Sequence, residues 1–462
     1  MKRSLSNNLT CFLILAAILT GCKKTEEVPV AAQLITVPVL TEVTPTSVRL
    51  GGEIIVAGSP ITSNGVCWST TNANPTVNDS KAVLDSIVAA FRGKMTGLTP
   101  VTKYYARPYV VNKAGTFYGE VISFTTPSTT FKIDVAASTL AGSATGSFGY
   151  NDGPGTSALF SGPDAIVFNK TTGLLQVGDV INNTIRSIST VGNVRTITST
   201  ERGYTDGPLL NARFYGARGM AVDAAGNTYV ADAGNNVIRK ITAAGVVSTY
   251  AGSPTGDYGY VDSTDPLKAQ FKNPRSVALD AAGNLYVADY GNNRIRKITT
   301  TGVVTTLAGD GVARYINSAT DNITASFNGP IAVTVDALGN LYVADLNNYA
   351  LRKVNTSTGA TSTVAGGLNI TAQLGSPVAI TTDAQSNVYI VDKNGRVLEL
   401  VTASKTLYTL AGKLGGVGFV NGTGADARFN APGGIALDAT GNAYVTDFNN
   451  NVIRKLAITV TP

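Results

Sequence analysis

The feature that most constrains this chain is its internal repetition. A unit runs from Phe271 to Gly309: an F-x-x-P start, a V-A-L-D segment, an A-A-G-N turn, then L-Y-V-A-D, G-N-N, R-I-R-K-I and a closing V-V-T-T-L-A-G. Taking the aspartate of the V-A-D step as marker, its equivalents are Asp179, Asp232, Asp289, Asp345, Asp392 and Asp447, spaced by 47 to 57 residues. Each unit holds four short segments of β-type composition separated by turn residues, D-x-x-G-N, D-x-x-N-N and a final Gly. One such four-stranded unit cannot bury both of its faces, so copies must pack on one another, and four strands per repeat is the blade of a propeller. The chain is therefore expected to be all-β. The last unit stops at Val460 without the outer strand that ends in L-A-G, and the missing piece stands at the front as Val135–Gly142. That strand is expected to complete the last blade, closing six blades and removing the open edge.

The pattern G-[IV]-A-[VL]-D-x-x-G-N-x-Y-V-[AT]-D-x-x-N-N-x-I-R-K resembles the NHL repeat family, and the resemblance runs from about Val135 to Val460. It implies a six-bladed NHL β-propeller over residues 132–462.

With strands lettered a to d from the axis outward, the b–c turns and the d–a connections share one face. The d–a connections are long and carry a second repeated motif, an aromatic followed two residues later by Asp or Asn. The pairs are Tyr150 and Asp152, Tyr204 and Asp206, Tyr260 and Asp262, Tyr315 and Asn317, and Phe419 and Asn421. Loops on a rigid scaffold are where binding concentrates, and aromatic faces beside carboxylate and amide groups suit sugar rings and their hydroxyls. The competing reading is structural: the aromatic wedges between blades and the Asp or Asn closes a turn. Both stay open on the sequence alone. A repeated motif in nearly every blade favours the structural one, because a binding site usually breaks the symmetry of a repeat.

Symmetry breaks at the fifth unit. Its connection, Ala365–Leu374, is short and has no aromatic, and Glu399 stands where the other units have Arg186, Arg239, Arg296, Arg352 and Arg454. A gap there would give a ligand a side entrance flanked by Tyr315 and Tyr349. The recurring Asp of V-A-D and Arg of I-R-K are expected to cap turns and pair strands. Asp223, Asp280, Asp336, Asp383 and Asp438, with Asn169, begin the D-x-x-G-N turns of the opposite face, where a central metal is a minor alternative.

Ahead of the repeats, residues 31–128 show short β-type segments bounded by turns, the spacing of a two-sheet sandwich. The stretches Ile61–Ser69, Gly97–Tyr105 and Asn112–Gly119 resemble the fibronectin type III/Ig-like modules of Bacteroidetes surface proteins, which implies a spacer. Trp68, the only tryptophan, is expected in its core. At the front, Lys2 and Arg3 precede an apolar run too short to span a bilayer. Leu19–Cys22 resembles a lipobox. The resemblance implies a signal peptide over 1–21, lipidation of Cys22, a tether over 22–30, and a surface-exposed, outer-membrane lipoprotein of Bacteroidetes type.

Chemistry is sparse. There is no histidine, which removes His-ligated zinc, Ser-His-Asp triads and histidine bases. No carboxylate pair stands out from the repeats for glycoside hydrolysis. Neither a catalytic residue, a metal site nor a cofactor is expected. The 36 basic and 30 acidic residues are spread along the chain, so nucleic acid has no electrostatic footprint. The expected function is a non-catalytic binding module, first for a protein partner in the outer membrane, with a surface glycan of a polysaccharide uptake system as the alternative. A propeller lyase or hydrolase is disfavoured by the missing histidines.

Overall fold

Alternation of buried and solvated residues along short segments, punctuated by Gly and Asn turns, gives β structure throughout. The computed structural model describes residues 28–41, 43–84, 86–128, 132–367 and 374–461, and these form strands and short 3-10 turns only. Cys22 and the rest of the expected leader lie outside the described residues.

The N-terminal part is two facing sheets. One holds β1 (Gln33–Thr41), β2 (Ser47–Val56) and, after β3 (Ile61–Ser69) and β4 (Ser80–Val83), β5 (Ala90–Thr96), in the order β1-β2-β5. The other is β4-β3-β6 with β6 (Lys103–Asn112) flanked further by β7 (Gly115–Tyr118) and β8 (Ile122–Thr125). Leu50, Val66, Trp68, Met95, Tyr104 and Phe124 fill the space between them. Trp68 is thus a core residue, and Cys67 is a buried free thiol whose pKa burial raises to about 11. A thiol held so firmly protonated is a small hydrophobe rather than a nucleophile.

The repeats form antiparallel sheets arranged as a β-propeller. Their innermost strands are Pro163–Asn169, Ala217–Val222, Pro274–Leu279, Pro330–Val335, Pro377–Thr382 and Pro432–Leu437. Each packs against its two neighbours, the last returning to the first, so the strands enclose an axis. Each is also the end member of its sheet, so one backbone edge has no strand partner and borders a central cavity of about 820 Å³. Between sheets lie aliphatic clusters with one buried Phe at five of the six junctions, as with Phe214, Phe271 and Phe327, and Leu374 in its place between the fourth and fifth sheets.

The sheet that begins at Pro432 takes its outer strand from the front of the chain. Strand β9 (Lys132–Ala141) pairs antiparallel with Val452–Thr461 over nine register positions. The sandwich docks on the flank of the ring. Strand β1 packs against Thr361–Gly366 and Leu407–Gly412, the outer strands of the fourth and fifth sheets. Leu40 N–H donates to the Lys405 carbonyl at 3.0 Å, and Leu40 itself is fully buried. Residues 368–373 of the short connection beside Tyr315, where a side entrance is expected, lie outside the described residues, and the outer strands on either side of it carry the sandwich.

Candidate functional site

The repeated Asp and Arg build one buried unit five times over. Asp179, Asp232, Asp289, Asp345 and Asp447 each accept from an arginine seven residues on, at 2.6–3.0 Å, with both side chains wholly buried. Each also accepts from an Asn side chain three residues on and from a backbone N–H of the incoming connection. Burial raises Asp179 to about 6, and the surrounding donors are what let a carboxylate occupy such a place.

The loop motif belongs to this unit. Arg186 donates to Asp152 at 2.7 Å, Arg239 to Asp206, Arg296 to Asp262 at 2.5 Å, Arg352 to Asn317 at 2.8 Å and Arg454 to Asn421 at 2.9 Å. The same guanidinium groups donate to the carbonyl of the preceding loop residue. Tyr204, Tyr260, Tyr315 and Phe419 lie 4.9–5.4 Å from these guanidinium carbons, and the recurring Phe214, Phe271, Phe327 and Phe429 lie at 4.9–5.1 Å. Two rings and an arginine make a cation–π stack, worth more when desolvated. The hydroxyls of Tyr204, Tyr260 and Tyr315 are hydrogen-bonded to Thr249, Thr306 and Thr363 of the adjoining outer strand. Tyr150 differs: only Phe160 stacks on Arg186, and Tyr150 is 65% exposed. Tyr349 also stands apart, half-exposed in a b–c turn with φ 53°.

At the axis the repeat breaks down. The second residue of the six inner strands is in turn Asp164, Arg218, Arg275, Ile331, Val378 and Gly433. All six line the central cavity at its mouth on the long-loop face, joined by Lys393. Asp164 and Arg218 form an ion pair from adjacent sheets. Arg275 makes no ion pair among the described residues; its guanidinium lies 5.0 Å from the Tyr290 ring and its Nε is buried without a partner. A Cβ at Gly433 would fall 2.7 Å from Asp164 Oδ1 and push that carboxylate from its place. Sequence reasoning missed this group. The available signal was a position that varies from repeat to repeat while its neighbours hold constant.

The opposite mouth is formed by the regular D-x-x-G-N turns, with Lys170 beside them. Asp383 and Asp438 border the cavity there, and each turn aspartate accepts from backbone N–H groups two and four residues on. Burial works against their charge, yet side-chain bonds from Asn227, Asn284, Asn340 and Asn442 prevail and hold Asp223, Asp280, Asp336 and Asp438 below the ordinary carboxylate range. Among the described residues no cluster of three or more metal-ligating side chains occurs.

Comparisons with known proteins agree with this architecture. The NHL repeat family model matches residues 271–298. The chloroplastic protein SUPPRESSOR OF QUENCHING 1 of Arabidopsis thaliana is 27% identical over 278 residues, 55% of this chain and 26% of that protein, so the chain spans about a quarter of its relative's length. Two solved structures from Bacteroides thetaiotaomicron superpose over 94% of this chain. One is a structural genomics protein of unknown function, with TM-score 0.54, 18% identity and 99% of its chain covered. The other is described as an auxiliary nutrient binding protein, with TM-score 0.53, 15% identity and 98% covered. At these identities the likeness establishes the fold alone, a β-propeller in an all-β chain, and the NHL repeat itself is matched over residues 271–298.

Proposed function

We propose that this protein is a non-catalytic binding module. In this reading a six-bladed propeller on an Ig-like spacer is held at the cell surface by acylated Cys22 and meets an outer-membrane protein partner on its long-loop face. The observation that carries the reading is an asymmetry of surface. Phe148, Tyr150, Tyr215, Tyr258, Tyr260 and Tyr349 are the exposed aromatic side chains among the described residues, and all six belong to d–a connections or b–c turns. The a–b and c–d turns of the other face carry none. Aromatic residues and arginine are enriched at interface centres because they bury large area with few rotatable bonds. The nutrient-binding description of the Bacteroides thetaiotaomicron structure is in keeping with a binding role, and the Tyr-rich loops keep a surface glycan as the alternative ligand.

The test is cross-linking on intact cells with the full chain, beside binding to a polysaccharide panel. Wild type is expected to cross-link to one outer-membrane protein, and the triple variant Phe148→Ala, Tyr150→Ala, Tyr258→Ala to lose that product with its melting temperature unchanged. An undiminished cross-link in the triple variant would sink the reading. Glycan binding without any cross-link would transfer it to the alternative.

A further inference from the structure

We infer that the axial mouth on the long-loop face is a binding site for a small hydroxylated carboxylate, a sugar acid either free or at the end of a chain. This is a different location from the rim aromatics and needs nothing of them. Three cations, Arg218, Arg275 and Lys393, meet one carboxylate, Asp164, at the opening of the cavity. The ion pair orients Arg218 and leaves Arg275 with its fork uncommitted. Arg275 stacks on Tyr290 and feels the charge of Asp164 without pairing with it directly, and its buried Nε has no acceptor. A planar guanidinium presents paired donors whose spacing matches the two oxygens of a carboxylate, so a carboxylate supplies what the mouth lacks.

The rest of the cavity selects the body of the ligand. Its wall is made of six inner strands whose axis-facing backbone edge has no strand partner. Such an edge offers N–H donors and carbonyl acceptors in alternation, which suits hydroxyl groups and is costly for a hydrocarbon tail to cover. A volume of about 820 Å³ is in the range of small-molecule sites. The far mouth has Asp383 and Asp438 with Lys170 on its border, so the excess of cations lies at the long-loop mouth, and the ligand enters there with its carboxylate at the arginines. Burial first, then the charge of Arg218, depress the proton affinity of Arg275 against the opposing charge of Asp164.

Isothermal titration of the full chain tests the assignment, with glucuronate, glucose, acetate and trigalacturonate as probes. Glucuronate or trigalacturonate is expected to bind at least tenfold more tightly than glucose, which lacks the carboxylate, and than acetate, which lacks the hydroxyls. Which of the two binds better tells a free acid from a chain end. Arg218→Ala with Arg275→Ala is expected to weaken the acid at least tenfold. Arg275→Lys, which keeps the charge and loses the fork, gives a second reading should the double variant not fold. Equal binding of glucose and glucuronate, no binding of either acid, or unchanged affinity in the folded variants would overturn the assignment. Loss of this binding with cross-linking intact would leave the rim partner standing.

Discussion

The fifth sheet and the other five differ by more than one residue, and the differences move together. In the five, a buried arginine ties the V-A-D aspartate to the incoming connection, with the loop-motif aromatic stacked on it in four of them. In the fifth the connection is short, Glu399 replaces the arginine, and Asp392 takes backbone N–H groups of Gly375 and Gly395 instead. The αL turn position also changes. Asn236, Asn293 and Asn451 accept a backbone N–H from the following sheet's connection, whereas Tyr349, facing the fifth sheet, has no amide to offer. Arginine and loop are thus one device for joining neighbours, reinforced by asparagine at three seams, and β1 of the sandwich docks at the seam where Glu399 replaces the arginine.

That comparison can be broken most forcefully at an intact sheet. Arg239→Ala leaves Asp232 buried without its counter-charge, and a loss of about 3–5 kcal/mol is expected in chemical denaturation. The same truncation has no counterpart at Glu399. Burial, then the charge of Asp392, holds Glu399 well above the ordinary carboxyl value of 4.5, and its Oε2 has no partner. A folded-state pKa raised in this way means its favourable contribution is complete below about pH 4.5 and is lost as pH rises. Glu399→Leu is therefore expected to stabilise the chain at pH 7 by about 1–3 kcal/mol, with the gain vanishing on acidification. A gain that persists unchanged at pH 4 would remove the buried-acid account. The smallest effect is sought at the turn. Tyr349 sits at φ 53°, a region that asparagine tolerates and a bulky side chain does not. Tyr349→Asn should stabilise by about 1 kcal/mol, read as a small upward shift in melting temperature.

The repeat, its four strands and the front strand of the last sheet were legible because they are periodic, and periodicity survives without knowledge of contacts. The meaning of the loop motif was not. Whether Asp206 faces a ligand or a guanidinium depends on Arg239, 33 residues away, and either outcome is compatible with the same local pattern. The axial mouth escaped notice for the opposite reason: Arg218 and Arg275 are single departures from a repeat and look like surface charges until six strands converge. Docking of the sandwich through the Leu40 backbone leaves no side-chain signature at all.

The pairing of β9 with Val452–Thr461 also fixes an order of events. Ser138 and Lys455 are 317 residues apart in the chain yet hydrogen-bonded. Synthesis delivers β9 early, and for most of the time the chain is growing this strand waits as an uncovered edge. Loop closure over such a separation is entropically slow, so the ring can shut only after the last repeat has emerged. The step that completes the molecule is then a single event at its two ends, and a chain shortened by its final strand would carry five assembled sheets and an adhesive one.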